Sequence, residues 1–288
     1  MISSTKTDKQ RALVISIIAL TLTAIATAGR LISLLFFYDR IGYYATGAFL
    51  PVLSNVIYAV SVVFFVAAAI LLPKSVKSIP SPSKSVGYVA LLPAIASAVY
   101  LVSSLPDLLG GANILALVSS LLSIASAAFF AIIAFSSRRT SLTAILGACV
   151  VLWLALFWMH FYRDFTVPMN SPNKLFFSFG CIGSVFFIVS ELRALFGISK
   201  PRLYYFSTFC AILSLAVSSI PSLIANAKDI FASYSVLSED IFFLSLLVYA
   251  VARLIYIPRA EQEETVTETP DEQADAPAET PDENGTAE

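Results

Sequence analysis

Few side chains in this 288-residue chain are equipped for chemistry, because 13% are charged and one is a histidine. That histidine, His160, lies in MHFYRDFTVPMNSPNKL (159–175), where it joins Arg163, Asp164 and Lys174 between two apolar runs. A histidine beside an Arg–Asp pair can move a proton or help to hold a polar solute. The competing reading is a polar turn. Ser171 suits a helix N-cap with Pro172 at the first helical position, and Pro168 and Asn170 suit the turn before it. The turn accounts for most of the stretch.

A second group is marked by depth. Arg30 stands seven residues before Phe37, where the first apolar run ends. At ~1.5 Å per helical residue it is about 10 Å inside that end. Glu239 and Asp240 lie at a similar depth in the last run, entered from the same side. A charge inside a bilayer costs roughly 2.5–3.5 kcal/mol or more unless it pairs, snorkels or meets water. Arg30 is therefore expected to face Glu239 or Asp240. The pair is either an outward-facing polar pocket, with His160, Arg163 and Asp164 at its mouth, or a structural ion pair. Glu191 and Arg253 match in depth near the opposite ends of their runs and form a candidate inner ion pair, with Arg138, Arg139 and Arg193 as rivals for Glu191. That pair reads as a structural lock, or as a proton or cation site.

The elements that must position these residues are eight apolar runs: 12–37, 46–72, 86–104, 112–136, 141–161, 173–196, 203–226 and 235–257. Each reaches the ~18 residues that a membrane-spanning helix needs. The runs are continuous rather than alternating, which favours helices over a barrel. The first follows Lys6, Lys9 and Arg11 but continues through Phe37, too long for a signal's hydrophobic stretch of about 7–15 residues. It reads as an uncleaved helix. Pro93 and Pro221 are expected to kink their spans. Ser214, Ser218 and Ser222 recur every four residues, and Gly180 with Ser184 makes a small-xxx-small face for close helix approach. The fold class expected is all-α: a polytopic transmembrane bundle of eight spans with a disordered acidic C-terminal tail.

Composition agrees, with 58% hydrophobic residues and a mean hydropathy of +0.82; the main partner is the lipid bilayer. The net charge of −1 averages two unlike parts. Residues 260–288 hold eleven acids and no base, while the rest holds eighteen bases and eight acids. Nothing in this balance points to nucleic acid. With the N-terminus inside, thirteen lysines and arginines fall on or near the cytoplasmic side and four outside, which places both termini in the cytoplasm. The divisions expected are a cytoplasmic N-terminus (1–11), the transmembrane domain (12–257) and the tail (258–288). The tail is too acidic to bury anything. It is a solvated appendage or a lure for a basic partner.

Catalytic signatures of the HExxH, GxSxG, Walker A and GxGxxG kinds are missing from the sequence, so an enzyme is disfavoured. Cys149, Cys181 and Cys210 all fall in apolar runs without metal-ligand spacing, so no metal and no cofactor is expected. The segments PMNSPNK (168–174), SELR (190–193), KPRLYY (200–205) and SSIPSL (218–223) resemble, in order and spacing, multi-pass membrane proteins of anaerobic Gram-positive bacteria that have no assigned function. The resemblance covers residues 160–223 and implies a bacterial plasma membrane; it carries over no activity and no functional residue. Two functions are therefore expected to compete. One is binding or transport of a small polar solute at Arg30, Glu239 and Asp240. The other is a non-catalytic sensor or assembly component with structural charges and a membrane protein as partner.

Overall fold

The computed structural model describes residues 2–38, 43–71, 79–110, 114–136, 140–163, 168, 170–228 and 237–267. Among them the backbone forms nine helices: α1 (Ile2–Phe37), α2 (Phe49–Leu71), α3 (Lys84–Val89), α4 (Leu91–Leu109), α5 (Ile114–Phe135), α6 (Ser141–Arg163), α7 (Pro172–Leu195), α8 (Pro201–Ala227) and α9 (Leu237–Thr267). They supply eight spans long and apolar enough to cross a membrane. The chain is an all-α, multi-pass integral membrane protein.

Two boundaries differ from expectation, each for a local reason. The span expected at 86–104 is built from α3 and α4, which meet at Ala90. Pro93 has no N–H for the Val89 carbonyl four residues back, so the span breaks there rather than bending gently. At the other end of the chain, α9 runs past its apolar portion, Leu237–Ile257, to Thr267. The first part of the expected tail thus has helical backbone, and residues 268–288 lie outside the described residues.

Successive spans reverse direction. The connections after α1, α4, α6 and α8 therefore gather at one end, called distal here, while those after α2, α5 and α7 share the terminal end with the start of α1. α8 occupies the centre, packed against α1, α2, α7 and α9. Of its most apolar stretch 78% is buried, against 28% for α2, which makes α8 the hub and α2 a lipid-facing element. Val52, Val56, Val60, Val63 and Ile70 of α2 are exposed. Such a face would be an association hazard in water and is at home in lipid.

Small and hydroxylated residues let the hub pack closely. A Cβ added at Gly183 would come within 2.8 Å of the Ser214 Cβ, and one at Gly180 within 3.1 Å of the Ser218 Cβ. α7 and α8 thus meet through the glycine and serine faces legible in the sequence. Serines that find no partner across a helix pair bond back to their own helix, as Ser184 does to Gly180 O (2.7 Å) and Ser219 to Leu215 O (2.7 Å). Between α4 and α5 hydroxyls also pair across the interface, Ser97 with Ser126, Tyr100 with Ser119, and Ser104 with Ser120, each at 2.9 Å, while Ser97, Ser104 and Ser120 bond back to their own helices as well. Trp153, Phe157 and Phe242 fill the space between α6 and α9 with rings 4.4–6.4 Å apart.

Candidate functional site

The distal half of the bundle holds Arg30 in its interior, 2% exposed. Its position follows from Pro221. That residue lacks the N–H that would bond the Val217 carbonyl in an unbroken helix, so α8 carries a free backbone acceptor facing its neighbours. Arg30 Nη1 donates to this carbonyl at 2.7 Å. Its Nη2 donates to Asn173 Oδ1 at 3.2 Å, and the guanidinium lies 4.0 Å from the centre of the Phe176 ring, a cation–π contact strengthened by burial. Asn173 is held in turn. Its backbone N–H donates to the Ser171 cap (3.2 Å), and its Nδ2 donates to the Tyr38 hydroxyl (3.0 Å). Tyr44, in the connection after α1, pairs its ring edge-on with Tyr38, and its hydroxyl interacts with Arg30 both by charge and by side-chain hydrogen bonding. Burial raises its phenol above the usual range, and the guanidinium offsets part of the rise.

Asp240 enters the same region from the first turn of α9 and is fully buried. Its Oδ2 accepts from Ser222 Oγ at 2.5 Å and from Asn226 Nδ2 at 3.5 Å, both on α8. The direct pairing of Arg30 with Glu239 or Asp240 expected from depth is not formed: among the described residues Arg30 has no ion pair. The reason is competition. The carbonyl freed by Pro221 and the Asn173 amide hold the two terminal nitrogens, while Ser222 and Asn226 hold one oxygen of Asp240. Arg30 and Asp240 remain within electrostatic reach of each other. Each keeps one atom without a hydrogen-bond partner among the described residues, Arg30 Nε and Asp240 Oδ1. A donor of one charge and an acceptor of the other are thus buried, unsatisfied and within electrostatic reach, and each carries a desolvation cost of about 1–3 kcal/mol or more.

The remaining residues of the expected pocket are placed differently. Glu239 is partly buried, accepts from Ser238 Oγ at 2.8 Å and feels His160 electrostatically. His160 and Arg163 are exposed near the distal end of α6, outside the Arg30–Asp240 cluster. Asp164 lies outside the described residues. Lys174 turns inward, 2% exposed, and donates to the Tyr162 carbonyl at 3.0 Å. This ties the start of α7 to the end of α6 and belongs to the turn.

In the terminal half the structure brings Glu191 and Arg253 together, Arg253 Nε lying 2.9 Å from Glu191 Oε1 with both side chains fully buried. Glu191 also accepts from the hydroxyls of Tyr204 (2.5 Å) and Tyr249 (2.8 Å). Arg253 Nη2 donates to the Pro80 carbonyl at 3.1 Å. The knot joins α7, α8, α9 and the segment before α3, and its carboxylate is well satisfied. One of its atoms, Arg253 Nη1, has no hydrogen-bond partner among the described residues, but the direct ion pair and the saturated carboxylate suit a clasp.

Depth and charge point to Arg30, Asp240, Glu191 and Arg253, but not to Asn173, Ser222, Asn226, Tyr204 or Tyr249. Tyr249 could have been found, since it lies one helical turn before Arg253 on the same face. Ser222 was visible as part of the serine stripe, as packing face or solute-path lining beside the Pro221 kink, but not as a partner of Asp240. No protein-family model matches the chain, and no curated protein or solved structure is similar to it.

Proposed function

We propose that this protein binds or moves a small polar solute at the Arg30–Asp240 cluster, in the plasma membrane, with both termini cytoplasmic and the distal end facing out. One observation carries the reading: two opposite charges share the bundle interior, fail to pair, and each leaves one hydrogen-bonding atom free. An ion pair kept only for stability gains most when its members meet, as Glu191 and Arg253 do. A solute that takes both free atoms would complete the arrangement.

A thermal-stability screen of the detergent-purified protein against ions, amino acids, sugars and nucleosides tests this, with Arg30→Ala alongside. A ligand at a hundred times its dissociation constant adds about 2.7 kcal/mol. The expected result is a compound that stabilises the wild type and not the mutant. If no compound shifts the wild type and Arg30→Ala simply melts lower, the cluster is structural.

The second reading is a non-catalytic sensor or assembly component with a membrane protein as partner. It is favoured by the bonds from Arg30 to Val217 and Asn173, which already anchor three helices. Under it the protein co-purifies with a second membrane protein.

A further inference from the structure

We infer that the solute is a free α-amino acid, bound as its zwitterion with the carboxylate on Arg30 Nε and the ammonium on Asp240 Oδ1. The inference rests on the proposed binding role of the cluster and names the class of ligand.

The free atoms set the chemistry. Arg30 Nε carries a hydrogen and accepts nothing; as a carboxylate oxygen, Asp240 Oδ1 would accept and donate nothing. Both lack a partner among the described residues. Their side chains are 2% and 0% exposed and lie in electrostatic reach of each other. A ligand that takes both must therefore present an acceptor and a donor on one small molecule.

Net charge narrows the class. Arg30 and Asp240 cancel, so the two fully buried groups are neutral together before binding. A simple anion would satisfy Arg30 and bring an uncompensated negative charge beside Asp240. A simple amine would do the reverse beside Arg30. Either leaves a net charge in the apolar interior, where it is costly. A sugar or nucleoside keeps neutrality but meets two full charges with dipoles alone. A zwitterion keeps the site neutral and makes a charge-assisted hydrogen bond at each end. Of the other charged groups nearby, Lys174 donates to Tyr162, while Glu239 is partly buried, accepts from Ser238 and lies in electrostatic reach of both Asp240 and His160.

The test compares the twenty standard amino acids, each with the amine lacking its carboxylate and the acid lacking its amino group, by thermal shift on the full-length protein in detergent. At least one amino acid is expected to raise the melting temperature. Its amine and its acid should each need at least tenfold higher concentration for the same shift, and Asp240→Asn should weaken the response at least tenfold. Should Asp240→Asn fail to fold, the comparison of the three compounds on the wild type decides alone. An amine or an acid that works as well as its amino acid overturns the zwitterion and leaves the binding role standing. A sugar, nucleoside or ion that acts through Arg30 while every amino acid fails does the same. If nothing in either panel acts, the binding role itself falls.

Discussion

Glu191 accepts from Tyr204, Tyr249 and Arg253, all fully buried, so its removal strands several donors at once. Glu191→Ala leaves the Arg253 guanidinium buried with the Pro80 carbonyl as its main remaining acceptor. The expected loss is about 3–5 kcal/mol of stability, read from unfolding in detergent. Tyr249→Phe removes one hydrogen bond to a charged acceptor and should cost less, about 1.5–3 kcal/mol. The carboxylate and the guanidinium were legible from matching depth. The tyrosines were not, because in an apolar span tyrosine reads as aromatic filler until a buried charge is seen to need it. Arg30 shows a stricter limit: its nearest partner is the Val217 backbone oxygen, which no side-chain pattern announces. The one trace of it in the sequence is Pro221, four residues on.

That trace becomes a prediction about α8 as an element. In Pro221→Ala the new N–H can bond the Val217 carbonyl, so Arg30 loses its monopoly on that acceptor. Arg30→Ala should then cost less in the Pro221→Ala background than alone, by about the worth of one charge-assisted hydrogen bond, ~1.5–3 kcal/mol. A double-mutant cycle measures this coupling; purely additive effects would place the kink and the arginine in separate roles. The eight spans were legible because hydropathy alone decides them. What each proline does was less so. Pro93 splits its span into α3 and α4, whereas Pro221 leaves α8 continuous. In the second case a guanidinium from α1 takes the freed carbonyl, and that depends on packing between distant segments.

Across the whole molecule the two charge clusters stand at opposite ends of the same three helices, α7, α8 and α9. The terminal cluster is closed by the Glu191–Arg253 pair, which leaves only Arg253 Nη1 unbonded; the distal one leaves two atoms unbonded, a donor and an acceptor of opposite charge. Such polarity fits a site served from the distal face, which the proposed orientation puts outside. In a protein with Cys149, Cys181 and Cys210 replaced by serine, a cysteine at exposed Asn170 should react with a membrane-impermeant thiol reagent added to intact cells. One at exposed Thr140 should react only after the membrane is opened. The reverse pattern would invert the proposed orientation. Architecture and charge placement could be read before the fold was known, but the geometry between Arg30 and Asp240 could not, since it depends on which neighbours claim their other atoms.

The most direct measurement is equilibrium binding, by calorimetry, of the solute that most stabilises the purified protein, to the wild type and to Asp240→Asn. Asn at this position keeps an acceptor for Ser222 while removing the charge, so the bundle's packing is preserved. The account predicts saturable binding to the wild type and at least a tenfold loss of affinity in the variant. Equal affinity in the two proteins would contradict it and place any solute site away from the buried charges.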